Sequence, residues 1–192
     1  MKTIILVRHS IPQKLHIENK DIPLSKEGIE KAKELLSFNH VDYLYSSTYL
    51  RAYQTAQVLS HKIIKDERLI ERLIGDEETA DKKQWKMQYD NHDYKNKNGE
   101  SLNEVKQRMS ACIQDILTNM NDHETSIVVS HATSICSYLL NVCDIQVTNE
   151  KDKIRKIIFK DKVVLEGRIQ KPSCFIIQYD NNEIVDIVYI EK

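Results

Sequence analysis

Ile4-Ile5-Leu6-Val7-Arg8-His9 decides the reading of this chain. A continuous apolar run of that length, bounded by polar residues, fits a strand buried on both faces. It stops at a charged pair, so it delivers Arg8 and His9 to the edge of a sheet, where ligands of open α/β proteins sit. Imidazole attacks phosphorus as a neutral nucleophile, and guanidinium grips phosphate oxygens in a fork. The dipeptide alone is a weak signal. Its weight comes from the segments that follow.

Working outward, Lys2 to Val7 is the first strand, and a polar loop runs from Ser10 to Pro23. Leu24-Ser25 opens a helix: Ser25 caps it, and Leu24 is placed to pack on Ile29 as a hydrophobic staple. Val41 to Tyr45 reads as a second strand, followed by Ser46-Ser47-Thr48 and a helix over 49–60. Ile63-Ile64 marks a short third strand. Residues 72–98 are polar and weakly periodic, an excursion over the surface or a lid. Ser101-Leu-Asn-Glu104 is a capping box for a long amphipathic helix. Thr125 to Val129 is another strand, ending at Ser130-His131, and Ala132 to Val142 reads as a helix. The charged stretch Thr148 to Lys162 takes no assignment. Cys174 to Tyr179 and Ile184 to Ile190 are strands of a hairpin turned at Asp180-Asn-Asn-Glu. Alternating strands and helices predict an α/β three-layer sandwich, a mostly parallel central sheet with helices on both faces.

The chain has 192 residues, 41% of them hydrophobic and 30% charged, which suits one soluble domain over 1–192. A net charge of −1 provides no global field for nucleic acid or anionic membrane. No run is long enough for a transmembrane helix, and the N-terminal apolar stretch is too short for a signal segment, so a cytoplasmic protein is expected. The four cysteines, Cys112, Cys136, Cys143 and Cys174, lack paired spacing. Cys136 and Cys143 read as buried residues of one helix-like stretch rather than zinc ligands with His131.

Two histidines, His9 and His131, each follow a buried strand, and in a parallel sheet both emerge at one edge. A structural histidine bonded to a loop carbonyl is the bland alternative for either one; the matching contexts favour a shared site. Arg51 stands in the first turn of the helix after Ser46-Ser47-Thr48, where a cation opposes the helix dipole and so suggests function, with a solvated surface arginine as the bland alternative. Glu71 follows the third strand between Arg68 and Arg72. By composition alone it is either a proton carrier or a surface ion-pair partner.

These segments resemble the histidine phosphatase superfamily, the phosphoglycerate mutase-like family. Leu-Val-Arg8-His9-Ser10 resembles its Arg-His-Gly box. Asp21-Ile-Pro-Leu-Ser-Lys-Glu-Gly28 resembles its helix entry, and Tyr45-Ser-Ser-Thr-Tyr-Leu-Arg51-Ala-Tyr-Gln-Thr-Ala56 its second segment. Glu71 falls where the family places an acidic residue. Asn98-Gly-Glu-Ser-Leu102 and Val128-Val-Ser-His131-Ala132 resemble the family's later boxes. The resemblance implies a metal-independent phosphatase without cofactor, acting on a small phosphomonoester or a phosphoprotein. His9 would be the nucleophile that becomes phosphohistidine. Arg8, Arg51 and His131 would bind phosphate oxygens, with the Ala132 N–H as a further donor, and Glu71 would protonate the leaving oxygen.

Ser10 departs from the family's glycine, and Ile11-Pro12-Gln13 from its acidic and hydroxyl-bearing residues. That loop and the short chain argue against the first alternative, a phosphoglycerate mutase. The second alternative is an inactive binding or regulatory protein on the same fold, against which the intact set Arg8, His9, Arg51, Glu71 and His131 speaks. Charges around 76–86 cancel, so substrate identity is open, as is oligomeric state.

Overall fold

The computed structural model describes residues 1–38, 40–76 and 84–192. Its regular elements are β1 (Lys2–Arg8), α1 (Lys26–Leu35), β2 (Tyr43–Ser46), α2 (Leu50–Ala56), β3 (Ile63–Lys65), α3 (Gln84–Asp90), α4 (Leu102–Asn119), β4 (Thr125–Ser130), α5 (Ala132–Leu139), β5 (Cys143–Asn149), β6 (Ile154–Phe159), β7 (Lys162–Gly167), β8 (Ser173–Asp180) and β9 (Glu183–Glu191). The main sheet has the order β3-β2-β4-β1-β8-β9. β3, β2, β4 and β1 run parallel, and β8 and β9 continue the sheet antiparallel.

β1 shows how the apolar run builds the layers. Ile4 and Leu6 enter one core, and Ile5 and Val7 the other, because successive strand residues face opposite ways. The first core holds the apolar faces of α4 and α5; the second holds Leu35 and Leu36 of the first helix region with Ala52 and Ala56 of α2. Helices therefore cover both sheet faces, as the alternation of elements predicts.

Local chemistry fixes the helix starts. Ser25 Oγ accepts from Gly28 N–H at the start of α1, and Ser101 with Glu104 completes the capping box of α4. Each such cap is worth about 1 kcal/mol. Gly28 is forced by contact: a Cβ there would lie 2.2 Å from the Ile11 carbonyl oxygen. The hairpin turn between β8 and β9 uses Asn181 and Asn182, both at positive φ, where asparagine is tolerated.

Several boundaries differ from expectation. α2 ends at Ala56 and α5 at Leu139. Cys143 opens β5 instead of sharing a helix with Cys136. The unassigned stretch is part of a separate antiparallel sheet, β5-β6-β7, whose Ile145, Ile157, Phe159 and Leu165 join the first core. Residues 77–83 of the expected excursion lie outside the described residues. After them, Gln88, Tyr89 and Asn96 are buried, so α3 and its neighbours are part of the packed structure. Among the described residues, no helix is long and apolar enough to cross a membrane.

Candidate active site

Three strand ends meet. Arg8 pairs in register with Ser130, and Ser46 with Val129, so Arg8-His9, Ser130-His131 and Ser46-Ser47 leave the sheet at one edge. The His9 and His131 rings pack edge to face with centroids 5.0 Å apart. Arg51 reaches both from α2, and all three side chains are at most 5% exposed.

The hydrogen bonds assign His9 its tautomer. Nδ1–H donates to the Ser10 carbonyl oxygen at 2.7 Å. Nε2 therefore carries the lone pair, and it accepts from Arg51 Nε–H at 3.1 Å. Burial, with Arg51 and then Arg8 beside it, holds the imidazole well below its usual pKa, so His9 is neutral at neutral pH. His131 is likewise held low by burial first, then by His9 and Arg51. Its Nδ1 lies 3.3 Å from Arg51 Nη2, and its Nε2 lies 2.9 Å from Ser47 Oγ. Both nitrogens thus already have protein partners.

α2 does more than present Arg51. Thr55 Oγ1 accepts from Ser10 N–H at 3.0 Å, and Gln54 Oε1 accepts from Leu24 N–H at 2.7 Å. The motif residues around Arg51 thereby tie down the loop that carries His9. Ser10 does not take a positive φ, so a glycine's backbone freedom is not needed there. Its Oγ is buried without a partner. Ile11 accepts from both Ser25 N–H and Ser25 Oγ–H, which binds the departing loop to the start of α1.

Glu71 sits across the cleft at the N-terminus of α5. Its carboxylate accepts from Thr133 N–H at 3.4 Å and from Ser134 N–H at 3.2 Å, groups that no intrahelical carbonyl reaches. Ala132, the first residue of α5, lines the same cleft. Sequence reading missed the residue that holds Glu71 in place. Arg108 of α4 donates to the carbonyl oxygens of Arg68, Ile70 and Glu71 at 2.7, 2.9 and 3.4 Å. It also pairs with Glu100 at 2.8 Å. A Cβ on the preceding Gly99 would lie 2.6 Å from the Ile74 carbonyl oxygen. The Gly99-Glu100-Ser101 box therefore docks the Glu71 segment and caps α4.

The cleft above these groups has a volume of about 750 Å³. Arg8, Lys31, Arg72, Lys153, Arg155, Arg168 and Lys171 line it, and Glu71 is the sole carboxylate among its described lining residues. Arg8 Nη1 donates to the Ile169 carbonyl oxygen, while its Nε is buried without a partner. Burial brings Arg8 down to about 10, with Glu71 opposing and Arg155 adding to the fall. Lys171 is brought down to about 8 by burial, then by Arg8 and Arg51. Among the described residues, no three His, Cys, Asp or Glu side chains are grouped to hold a metal ion.

The histidine phosphatase superfamily (branch 1) model matches residues 4–154. The chain belongs to this family. Phosphoserine phosphatase 1 of Hydrogenobacter thermophilus is 29% identical over 153 residues, 68% of this chain and 71% of its own length. Among solved structures, the phosphoserine phosphatase of Entamoeba histolytica superposes with a TM-score of 0.70 at 20% identity, over 96% of this chain and 94% of that one. A mycobacterial glucosyl-3-phosphoglycerate phosphatase, solved with inorganic phosphate, gives 0.69 at 19% identity, over 99% and 95%. These superpositions bear out the expected fold. The family and the curated relative bear out the reading of the chain as a phosphatase-type enzyme.

Proposed function

We propose that this chain hydrolyses phosphomonoesters in two steps through a phosphohistidine on His9. The reading is carried by the state of that ring: neutral, fixed through Nδ1, with the Nε2 lone pair turned to Arg51. An incoming phosphate replaces Arg51 Nε as the partner of Nε2. The guanidinium turns to the non-bridging oxygens, joined by Arg8 and the Ala132 N–H. These donors meet charge that grows in the transition state. Once Arg51 leaves it, His131 Nδ1 is also open to the substrate. The dianion raises the proton affinity of that ring, and a proton on Nδ1 gives the phosphate another donor.

In the first step the Nε2–P bond forms and the ester P–O bond breaks, and Glu71 supplies the proton taken by the leaving oxygen. In the second, Glu71 accepts a proton from water as its oxygen attacks phosphorus. The N–P bond breaks, inorganic phosphate departs and His9 returns to its neutral form. The buried cysteines, all free, suit a reducing compartment, and we assign the protein to the cytoplasm.

Hydrolysis of an aryl phosphate by wild type and His9→Ala, each with and without a chelator, tests the proposal. Turnover that survives the chelator and is lost in His9→Ala is expected. A His9→Ala variant that keeps wild-type turnover would overturn it.

A further inference from the structure

β6 alternates in the manner of a half-buried strand, with Arg155, Ile157 and Phe159 inward. A cation at an inward position is unusual without a paired anion. Arg155 is 5% exposed, and no carboxylate pairs with it among the described residues. Its Nη1 donates to Tyr89 Oη and to Cys136 Sγ, both at 2.9 Å. Its guanidinium lies over the Trp85 ring, 5.0 Å from the centroid, which holds the plane by a cation–π contact. Its Nε is buried without a partner. The side chain lines the cleft that also holds Arg8 and Glu71.

Lys153, Arg168 and Lys171 line the same wall. Arg155 and Lys171 both lie close enough to Arg8 to perturb it or be perturbed by it. Such a cluster repels itself, and burial makes the repulsion more costly. A single phosphate at His9 already has Arg8, Arg51 and His131. Arg155 stands on β6 with Lys153 just before it, Arg168 and Lys171 lie on the segment leading into β8, and Arg155, Arg168 and Lys171 lie beyond residue 154, where the family match ends.

We propose that Arg155, with Lys153, Arg168 and Lys171, forms a second anion site, and that the preferred substrate is a phosphomonoester bearing another acidic group. That group is a carboxylate or a second phosphate, only a few bonds from the reacting phosphorus. It completes the hydrogen bonding of Arg155 and neutralises the wall. The proposal rests on the phosphatase reading only for the word substrate; the binding preference stands on the wall itself.

The test is calorimetric binding to a His9→Ala background, so that turnover plays no part. The probes are phenyl phosphate, phosphoglycolate and propane-1,3-diol bisphosphate. Phosphoglycolate or the bisphosphate is expected to bind at least tenfold more tightly than phenyl phosphate, and the better of the two identifies the acid. Adding Arg155→Gln should reduce that advantage to under threefold. The exposed pair Lys153→Gln/Arg168→Gln, which leaves the core untouched, should reduce it by a factor of three or more. Equal binding of all three probes, or an advantage that survives both sets of substitutions, overturns the second site. Absence of phenyl phosphate hydrolysis by the wild type would instead remove the phosphatase reading and leave the binding result standing.

Discussion

Arg51 Nε donates to His9 Nε2 across 3.1 Å, so the proposed nucleophile is capped by the cation assigned to its transition state. In the proposed mechanism one movement of Arg51 both uncovers the lone pair and supplies charge to the phosphate. Arg51→Lys keeps the charge but loses the fork and the Nε–H. The substitution is expected to lower kcat/KM by about 10²- to 10³-fold, with most of the loss in kcat. A loss confined to KM would show that Arg51 only binds.

As the proposed proton donor, Glu71 should matter in proportion to how much help the leaving group needs. Glu71→Gln should cut kcat on an alkyl phosphate by at least about 10²-fold. With an aryl phosphate, whose leaving group departs without a proton, the loss should stay within about tenfold. Equal losses on both would remove the proton-donor role.

Arg108 holds three carbonyl oxygens of the 68–71 segment, and so positions Glu71 for its proposed role. Arg108→Gln should therefore reproduce the leaving-group dependence of Glu71→Gln in weaker form, and Arg108→Lys should restore part of the activity. Leaving Glu100 without its partner is also expected to cost about 1–3 kcal/mol of stability. An effect of the same size on alkyl and aryl phosphates would make Arg108 a scaffold residue only.

Two groups set the pH behaviour. His9 is neutral well below its usual pKa, so the acid limb of kcat/KM attributable to the enzyme should lie well below pH 6.5, after correction for the substrate's own ionisation. Lys171, brought down to about 8, is charged below that pH and loses its charge above it. KM should therefore rise between pH 8 and pH 10, by up to about tenfold per unit, and Lys171→Arg should flatten the rise. Ligand-free stability runs the other way. The unfolded chain holds the proton to 10.5 and the native site only to about 8, so this group favours folding more as pH rises through that interval. A wild-type KM flat from pH 7 to 10 would exclude Lys171 from binding.

Gly28→Ala places a Cβ against the Ile11 carbonyl oxygen at 2.2 Å. Backbone must shift, at an expected cost of about 1–3 kcal/mol, or a fall in Tm of roughly 2–4 °C per kcal/mol. The same shift loosens the loop after His9, so kcat should drop with it. An unchanged Tm would show that α1 moves freely against this loop.

Much of the fold, and the grouping of the candidate site, is legible in the amino-acid sequence. The β1 run, the two strand-end histidines and the caps at Ser25 and Ser101 each rest on local rules of period and hydrogen bonding, and the described elements follow them. Residues 143–167 are not legible in this way, because their alternation places Arg155 where an apolar residue is expected. Charge masks the inward pattern of β6, and the strand is lost with the cation that makes it informative. Arg108 is hidden for a different reason. It lies on an amphipathic helix, and nothing local distinguishes a guanidinium that docks a distant turn from a solvated one. The capping of His9 by Arg51 is equally out of reach, since it depends on the long-range packing of α2 against β2 and β4.

The proposed mechanism requires a covalent phosphoryl group on His9. Wild type is mixed with a labelled phosphomonoester, quenched during turnover and digested under alkaline conditions. An acid-labile, base-stable label is expected on the peptide carrying His9, and none in His9→Ala. Label on another residue, or full turnover with His9 removed, would contradict it.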